Sequence, residues 1–320
     1  MKEKILIIKT GYSEILDREN DSRRVSLGDV LRTTPLLHLY KNDEVTWVTD
    51  REAFPIIEGN KFVTRLLYLD WITAEQLRAE EFDRVINLEK VPGICALSDA
   101  IRSRKSRYGF NFNRQTGRAE AYDHSVEVLT VSSDAKEKKE NKKTTQELLF
   151  EMVGKKWNGE SYVLGYKSKS REVVDIGLNT QIGSKWPTKA WPVDSWNILE
   201  KKLKECGYNV SRQDKQDKKI LINLYTYMDW INSCKTIVTN DSLGVHLAIA
   251  MGKKVLCLFG PTPAAEIYFY GRGKPILPSP LPECVPCFSS KCDKYKDSCM
   301  KLISPERVAE EVKSLVKLHK

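Results

Sequence analysis

Three groups of residues in this chain combine side-chain types and spacings that chemistry can use. The first is Ser-Leu-Gly-Asp at 26–29, which opens a stretch with apolar residues at helical spacing. A helix behind the first strand of a nucleotide-binding fold usually receives a phosphate at its N-terminus, yet Asp29 puts a negative charge there. Taken alone, Asp29 would be a helix-terminal charge worth about 0.5 kcal/mol. The second group is Asn-Asp-Ser-Leu-Gly-Val-His at 240–246, read as a strand end, Asp241, Ser242 and then a helix with Gly244 in its first turn and His246 on the same end. Free backbone N–H groups at such a turn make a phosphate seat, and Asp241 can hold a ligand hydroxyl. The plain alternatives are that Asp241 or Ser242 is an N-cap and that His246 is a satisfied core histidine.

The third group is Cys284, Cys287, Cys292 and Cys299, spaced C-x2-C-x4-C-x6-C in a loop rich in Pro, Lys and Asp. Four thiols this close suit one tetrahedral structural metal, zinc ahead of iron. A reducing compartment disfavours the disulfide alternative. Cys95, Cys206, Cys234 and Cys257 lie singly in predicted elements and read as buried small hydrophobes.

The elements that must position these groups follow a repeating pattern. Short β runs at 3–9 and 44–50 flank the helical segment 25–41, a βαβ opening. Further runs at 65–70 and 83–90, a helical segment at 93–104, Tyr108–Phe110 and a helix over 145–154 complete a first half. A restart follows near 168, with strands predicted at 173–179, 219–225, 236–241 and 254–260 and helices at 194–207, 228–235 and 242–253. Such alternation predicts α/β domains with parallel sheets, and a final helix after Ser304 and Pro305. In open sheets of this kind ligands gather at the carboxyl ends of strands. The segments 26–29, 183–192, 239–246 and 259–262 all fall at such ends.

At 320 residues the chain has room for two domains, and with 41% hydrophobic and 30% charged residues it reads as a globular protein. No run approaches the ~18 apolar residues of a membrane span. Residues 1–11 hold too few apolar residues for a signal peptide, so the expected location is cytoplasmic. The net charge of +9 suits an anionic partner or plain solubility. The lysine-rich stretches at 136–143 and 215–219 lack the aromatic residues that would stack bases, which argues against nucleic acid.

The combination of residues 26–37, Lys-Ala-Trp-Pro at 189–192, the run 240–262 ending in Phe-Gly-Pro-Thr, and the cysteine segment behind it resembles glycosyltransferase family 9, the ADP-heptose:lipopolysaccharide heptosyltransferases. The resemblance implies a GT-B fold: two Rossmann-like domains with parallel sheets facing across a cleft. Residues 1–167 would form the acceptor domain, 168–303 the nucleotide-sugar donor domain with its Cys-rich loop, and 304–320 a C-terminal helix. It also implies an inverting glycosyltransferase that moves a heptose or related sugar from a nucleotide sugar, ADP-heptose favoured, to a saccharide or lipopolysaccharide-type glycolipid acceptor. Asp29 would then be the general base, with Ser26 and Gly28 on the acceptor-side turn. A carboxylate at a helix N-terminus stays ionised, and Gly28 leaves room for the acceptor.

Lys189, Asn240, Asp241, Ser242, Gly244, His246 and Thr262 would bind the donor. Lysine and backbone amides can offset the charge of the leaving diphosphate, so no catalytic metal is expected. Trp186 and Trp191 are candidates for lining the donor side, and Lys185 is an alternative phosphate contact. The chain departs from the family pattern in reading Ser242-Leu243-Gly244 where Thr-Gly commonly follows the Asp. It also inserts a long charged segment at 11–25, either a lid or a passive loop. Lipid-linked acceptors would bring peripheral contact with an anionic inner membrane. The rivals are a nucleotide-sugar epimerase on the same fold, in a different class a basic zinc-stabilised nucleic-acid-binding protein, and a non-catalytic relative that binds donor only.

Overall fold

The computed structural model describes residues 2–12, 25–183, 185–216, 223–295 and 298–317. The chain divides into two compact units, Met1–Lys167 and Ser168–Lys320.

In the first unit the strands are β1 (Lys4–Ile8), β2 (Glu44–Thr49), β3 (Arg65–Tyr68), β4 (Glu81–Asn87), β5 (Arg102–Asn113) and β6 (Arg118–Ala121). They form one sheet of order β3-β2-β1-β4-β5-β6 among the described residues. All neighbours run parallel except β5 and β6, which close an antiparallel hairpin. The order 3-2-1-4-5 is doubly wound and reverses between β1 and β4, so the carboxyl ends of those two strands open at the topological switch point. β1 is buried on both faces, with Ile5, Leu6, Ile7 and Ile8 withdrawn from water. Leu6 and Ile8 join Val48, Phe82, Val85 and Leu97 in one core. The helix expected to reach residue 104 ends at Ala100, and β5 begins at Arg102. Buried Ile101 falls at helical spacing and extends the apparent period, but the residues after it run along a strand with Arg102, Arg104 and Lys105 exposed. The helix Thr145–Glu151 starts at a capping box between Thr144 and Glu147.

In the second unit the strands are β7 (Val174–Asn179), β8 (Val210–Arg212), β9 (Cys234–Asn240), β10 (Lys254–Leu258) and β11 (Gly273–Ile276). Among the described residues their order is β11-β10-β9-β7-β8, all parallel. Read in chain sequence this is 2-1-3-4-5, the other common doubly wound order, with its reversal between β7 and β9. The strand expected over 219–225 falls partly outside the described residues, and Leu224 and Tyr225 open the helix Leu224–Ser233, whose N-cap Asn223 makes a capping box with Thr226. The final helix, Pro305–Lys317, buries Val308, Val312 and Leu315 in the core that also holds Trp196 and Leu199 of the helix Val193–Glu205. The inserted segment expected over 11–25 lies, at 13–24, outside the described residues.

Candidate active site

At the reversal point of the first unit the backbone is pinned by a buried carboxylate. Glu89, just past β4, is fully buried and accepts hydrogen bonds from the backbone N–H groups of Thr10 and Gly11, both at 2.7 Å. Its charge is met by Lys9, 3.2 Å away and itself buried. Asn87 fixes the segment from the other side, accepting from the Glu89 N–H and donating to the Glu89 carbonyl, each at 3.1 Å. Gly11 then turns the chain with φ +92°, a region that favours glycine, and a Cβ there would press on Val25 at 2.9 Å. The Gly11 carbonyl accepts from the Ser26 N–H at 3.0 Å, which brings the helix Leu27–Thr33 to the end of β1.

Asp29 lies in the first turn of that helix and is buried, with Arg32 at 2.6 Å from its Oδ1. The guanidinium one turn on meets the charge that looked misplaced in the sequence. Ser26 is the N-cap, makes no side-chain cap bond, and offers its carbonyl to the N–H groups of Asp29 and Val30. Gly28 occupies the same turn. Tyr162 belongs to this neighbourhood: burial pushes its phenol up, and both Arg32 and Asp29 act on it.

At the reversal point of the second unit the centre is Asp241. Its Oδ2 receives the Lys189 ammonium at 2.7 Å and the Thr262 hydroxyl at 2.6 Å. Burial works to raise its pKa, but the Lys189 charge, the two hydrogen bonds and His246 together hold the Asp241 carboxyl below the ordinary value. Asn240 sets the approach, donating to the Thr180 carbonyl at 2.9 Å and accepting from the Trp191 N–H at 3.2 Å. Ser242 is the N-cap of the helix Leu243–Ala250, and its hydroxyl accepts from Gly244 N–H at 3.3 Å. The cap is therefore Ser242, while Asp241 is left to Lys189 and Thr262. Gly244 is needed for space, because a Cβ would collide with the Asn179 amide and stand 2.8 Å from the Tyr227 hydroxyl. His246 is buried in that helix.

Of the two tryptophans, Trp191 is core: it donates to the Ile303 carbonyl and packs edge-on against Trp196 at 4.9 Å. Trp186 instead sits beside two ammonium groups, Lys189 at 5.9 Å and Lys185 at 6.0 Å from its ring centre. The cysteine segment is tied to this site by three hydrogen bonds, one between backbone groups and two from side-chain hydroxyls to backbone carbonyls. Phe288 N–H donates to the Pro261 carbonyl, Thr188 donates to the Ser289 carbonyl, and Ser298 donates to the Thr188 carbonyl. Cys299 is buried against Gly260, and Cys284, Cys287 and Cys292 lie close enough to disfavour its thiolate, after burial has already done so. Among the described residues no three His, Cys, Asp or Glu side chains converge as a ligating group. Of the four single cysteines, Cys95, Cys234 and Cys257 are buried as expected, while Cys206 is exposed. It follows the last turn of the helix Val193–Glu205, where the chain leaves the core.

The structure thus gathers Lys189, Asp241, Thr262 and His246 in the second unit, with Asn240, Ser242 and Gly244 shaping the turn, and Ser26, Gly28 and Asp29 in the first. Sequence reasoning missed Lys9, Arg32, Glu89, Asn179 and Tyr227. The signal for Lys9 was present, since it is a charge directly after the apolar run at 5–8.

Solved structures share this two-sheet fold over nearly the full chain. The E. coli heptosyltransferase WaaC with ADP superposes with a TM-score of 0.64 at 16% identity, covering 98% of this chain and 99% of that one. A glycosyl transferase family 9 protein from Veillonella parvula gives 0.61 at 18% identity, covering 99% and 97%. The architecture is that of the GT-B-like glycosyltransferases, and the chain belongs to glycosyltransferase family 9 (heptosyltransferase), whose family model matches residues 71–296. A lipooligosaccharide heptosyltransferase 2 of Campylobacter jejuni is 32% identical over 84 residues, 26% of each chain, so the chain spans about a quarter of that relative's length. Family membership favours neither the epimerase nor the nucleic-acid reading. The family match begins beyond Asp29, so the turn at 26–29 stands on its own geometry. Among the described residues no helix is long and apolar enough to cross a membrane.

The Asp241 cluster predicts a pH-dependent stability. A depressed folded pKa contributes stability that is fully present above the ordinary carboxylate value of 3.8 and lost as pH falls through the lower folded value. Lys189→Met strands the carboxylate, so chemical denaturation at pH 7 is expected to show a loss of about 3 kcal/mol. The gap from the unsubstituted protein should close in acid below pH 3.8. A gap independent of pH would contradict the pairing.

Proposed function

We propose that the protein is an inverting glycosyltransferase that transfers a heptose, or a related sugar, from a nucleotide sugar, ADP-heptose favoured, to a hydroxyl of a saccharide or lipopolysaccharide-type acceptor. The observation that carries the reading is a buried carboxylate, Asp29, paired with Arg32 at the strand-end turn of a family 9 chain. A sugar hydroxyl is a poor nucleophile, and a positioned carboxylate can take its proton as the new bond forms. In that displacement the acceptor oxygen bonds to the anomeric carbon of the donor, its proton passes to Asp29, and the bond from that carbon to the diphosphate oxygen breaks. The diphosphate leaves with the electron pair.

Lys189 is the residue to offset that charge. An ammonium carries three donors, so pairing with Asp241 is compatible with contact to phosphate oxygens and fixes the direction of the side chain. Backbone N–H groups opening the helix Leu243–Ala250 would add to it, next to the N-cap Ser242. ADP is the nucleotide in the solved E. coli relative, which supports an adenine nucleotide here. No step in this scheme needs a metal.

The four clustered cysteines have a separate role in this reading. Cys284, Cys287, Cys292 and Cys299 would hold a structural zinc or iron, with the chemistry of the donor set, four sulfurs, suiting either. Its effect would be to stiffen the segment that braces Thr188 and Pro261 beside the donor site.

Two measurements follow. ADP-heptose and ADP should stabilise the purified protein thermally by mass action, about 2.7 kcal/mol at a hundredfold excess over Kd. Lys189→Met should lose most of that gain, and no stabilisation by either nucleotide would overturn the reading. Elemental analysis of protein purified without chelators should find close to one zinc or iron per chain, falling in a variant with Cys284 and Cys287 replaced by Ser. Protein that is fully folded and free of both metals would contradict the metal proposal.

A further inference from the structure

A directed chain of hydrogen bonds runs behind the turn at 240–244 in the second unit. Asn179 and Thr239 are register partners at the ends of β7 and β9, and both are withdrawn from water. The Thr239 hydroxyl gives its one proton to the Asn240 carbonyl at 2.7 Å. Towards Asn179, 2.8 Å away, it can therefore only accept, which places the amide Nδ2 on that side. Turned over, the amide would set its oxygen against the lone pairs of Thr239 in a spot where nothing offsets the repulsion. Oδ1 then faces the Tyr227 hydroxyl of the helix Leu224–Ser233, which donates to it at 2.8 Å. Burial pushes the Tyr227 phenol up, so that proton is present at neutral pH. Two neighbours thus give Asn179 a single direction.

The consequence falls on Ser242. Its oxygen receives the second amide proton of Asn179 at 3.2 Å and the Gly244 N–H at 3.3 Å, which occupies both of its lone pairs. Its own proton has no acceptor among the described residues, and the side chain is half-buried just past the carboxyl end of β9. A hydroxyl so placed can only donate. We propose that Asn179 is a positioning residue for the sugar donor: it holds Ser242 with the hydroxyl proton turned to the ligand, so that a diphosphate oxygen meets that proton and never a lone pair. The proposal rests on the glycosyltransferase reading above and deepens it by naming what orients the donor turn. Gly244 leaves the room that the amide occupies, and Thr239 sets the direction in which the amide lies.

The test titrates the full-length protein and its variants with ADP, inorganic pyrophosphate and adenosine by calorimetry, with thermal denaturation to check that each variant folds. Ser242→Ala should weaken ADP and pyrophosphate about tenfold, as one hydrogen bond to a charged group requires, and leave adenosine unchanged. Thr239→Val removes the lock without altering charge. Asn179 can then turn over and take the Ser242 proton on its oxygen, so both anions should weaken about three- to tenfold. In the Ser242→Ala background the same substitution should cost nothing further, because it acts only through that hydroxyl. Thr239→Ser keeps the lock and should keep the affinity, whereas a merely structural role would lose it with the methyl group. If Thr239→Val does not fold, Asn179→Asp serves the same cycle, since its carboxylate draws the Ser242 proton inward and its effect on ADP must shrink in the Ser242→Ala background. ADP affinity within about twofold of the unsubstituted protein in Ser242→Ala, or an undiminished loss from the second substitution in that background, overturns the proposal. If ADP binds no form while pyrophosphate follows the pattern, the glycosyltransferase reading fails and the positioning role stands; if neither anion binds, both fail.

Discussion

A carboxylate taken out of water has to be given a cation or it takes up a proton, and among the described residues this constraint is met at three turns beside strand ends. Asp29 has Arg32, Glu89 has Lys9, and Asp241 has Lys189. Each pair stands at the point where a doubly wound sheet reverses its strand order, the place where such sheets open toward ligands. β1 offers four consecutive buried aliphatic residues before Lys9. At the end of β1 the boundary between apolar strand and charged turn is therefore sharp.

The pairs do different work. Glu89 accepts from the backbone of both Thr10 and Gly11 at Oε1, so it is a clamp on the first turn. Asp29 finds Arg32 within its own helix, one turn on. Asp241 collects a lysine, a threonine and the field of a histidine, and so assembles residues from three separate loops into one charged cluster. Replacing any one of those partners changes the pKa of the centre as well as its geometry.

Much of this was legible in the sequence wherever the signal is local. Apolar runs located β1, β2, β7, β9 and β10 to within a residue or two, and the residues at 26–29 and 240–246 fell at the turns where the structure has them. Long-range pairing was not legible. Lys9 and Glu89 are 80 positions apart, and nothing in either segment announces the other; the same holds for Asn179, whose amide fits against Gly244 only once β7 and β9 are neighbours. The basic start of β5 was read as helix because Ile101 continues the period, and the exposed Cys206 was read as buried because cysteine usually is. Trp191, beside Pro192, belongs to the core, as its bond to the Ile303 carbonyl requires.

The claim on which the functional account turns is that Asp29 acts as a base and not as a structural charge. Asn at this position keeps the size and removes the basicity. Turnover of ADP-heptose with acceptor, followed as ADP release, should fall by roughly 10²- to 10⁴-fold in Asp29→Asn, while calorimetry finds ADP-heptose bound as tightly as before. Turnover within a few-fold of the unsubstituted enzyme would contradict the account.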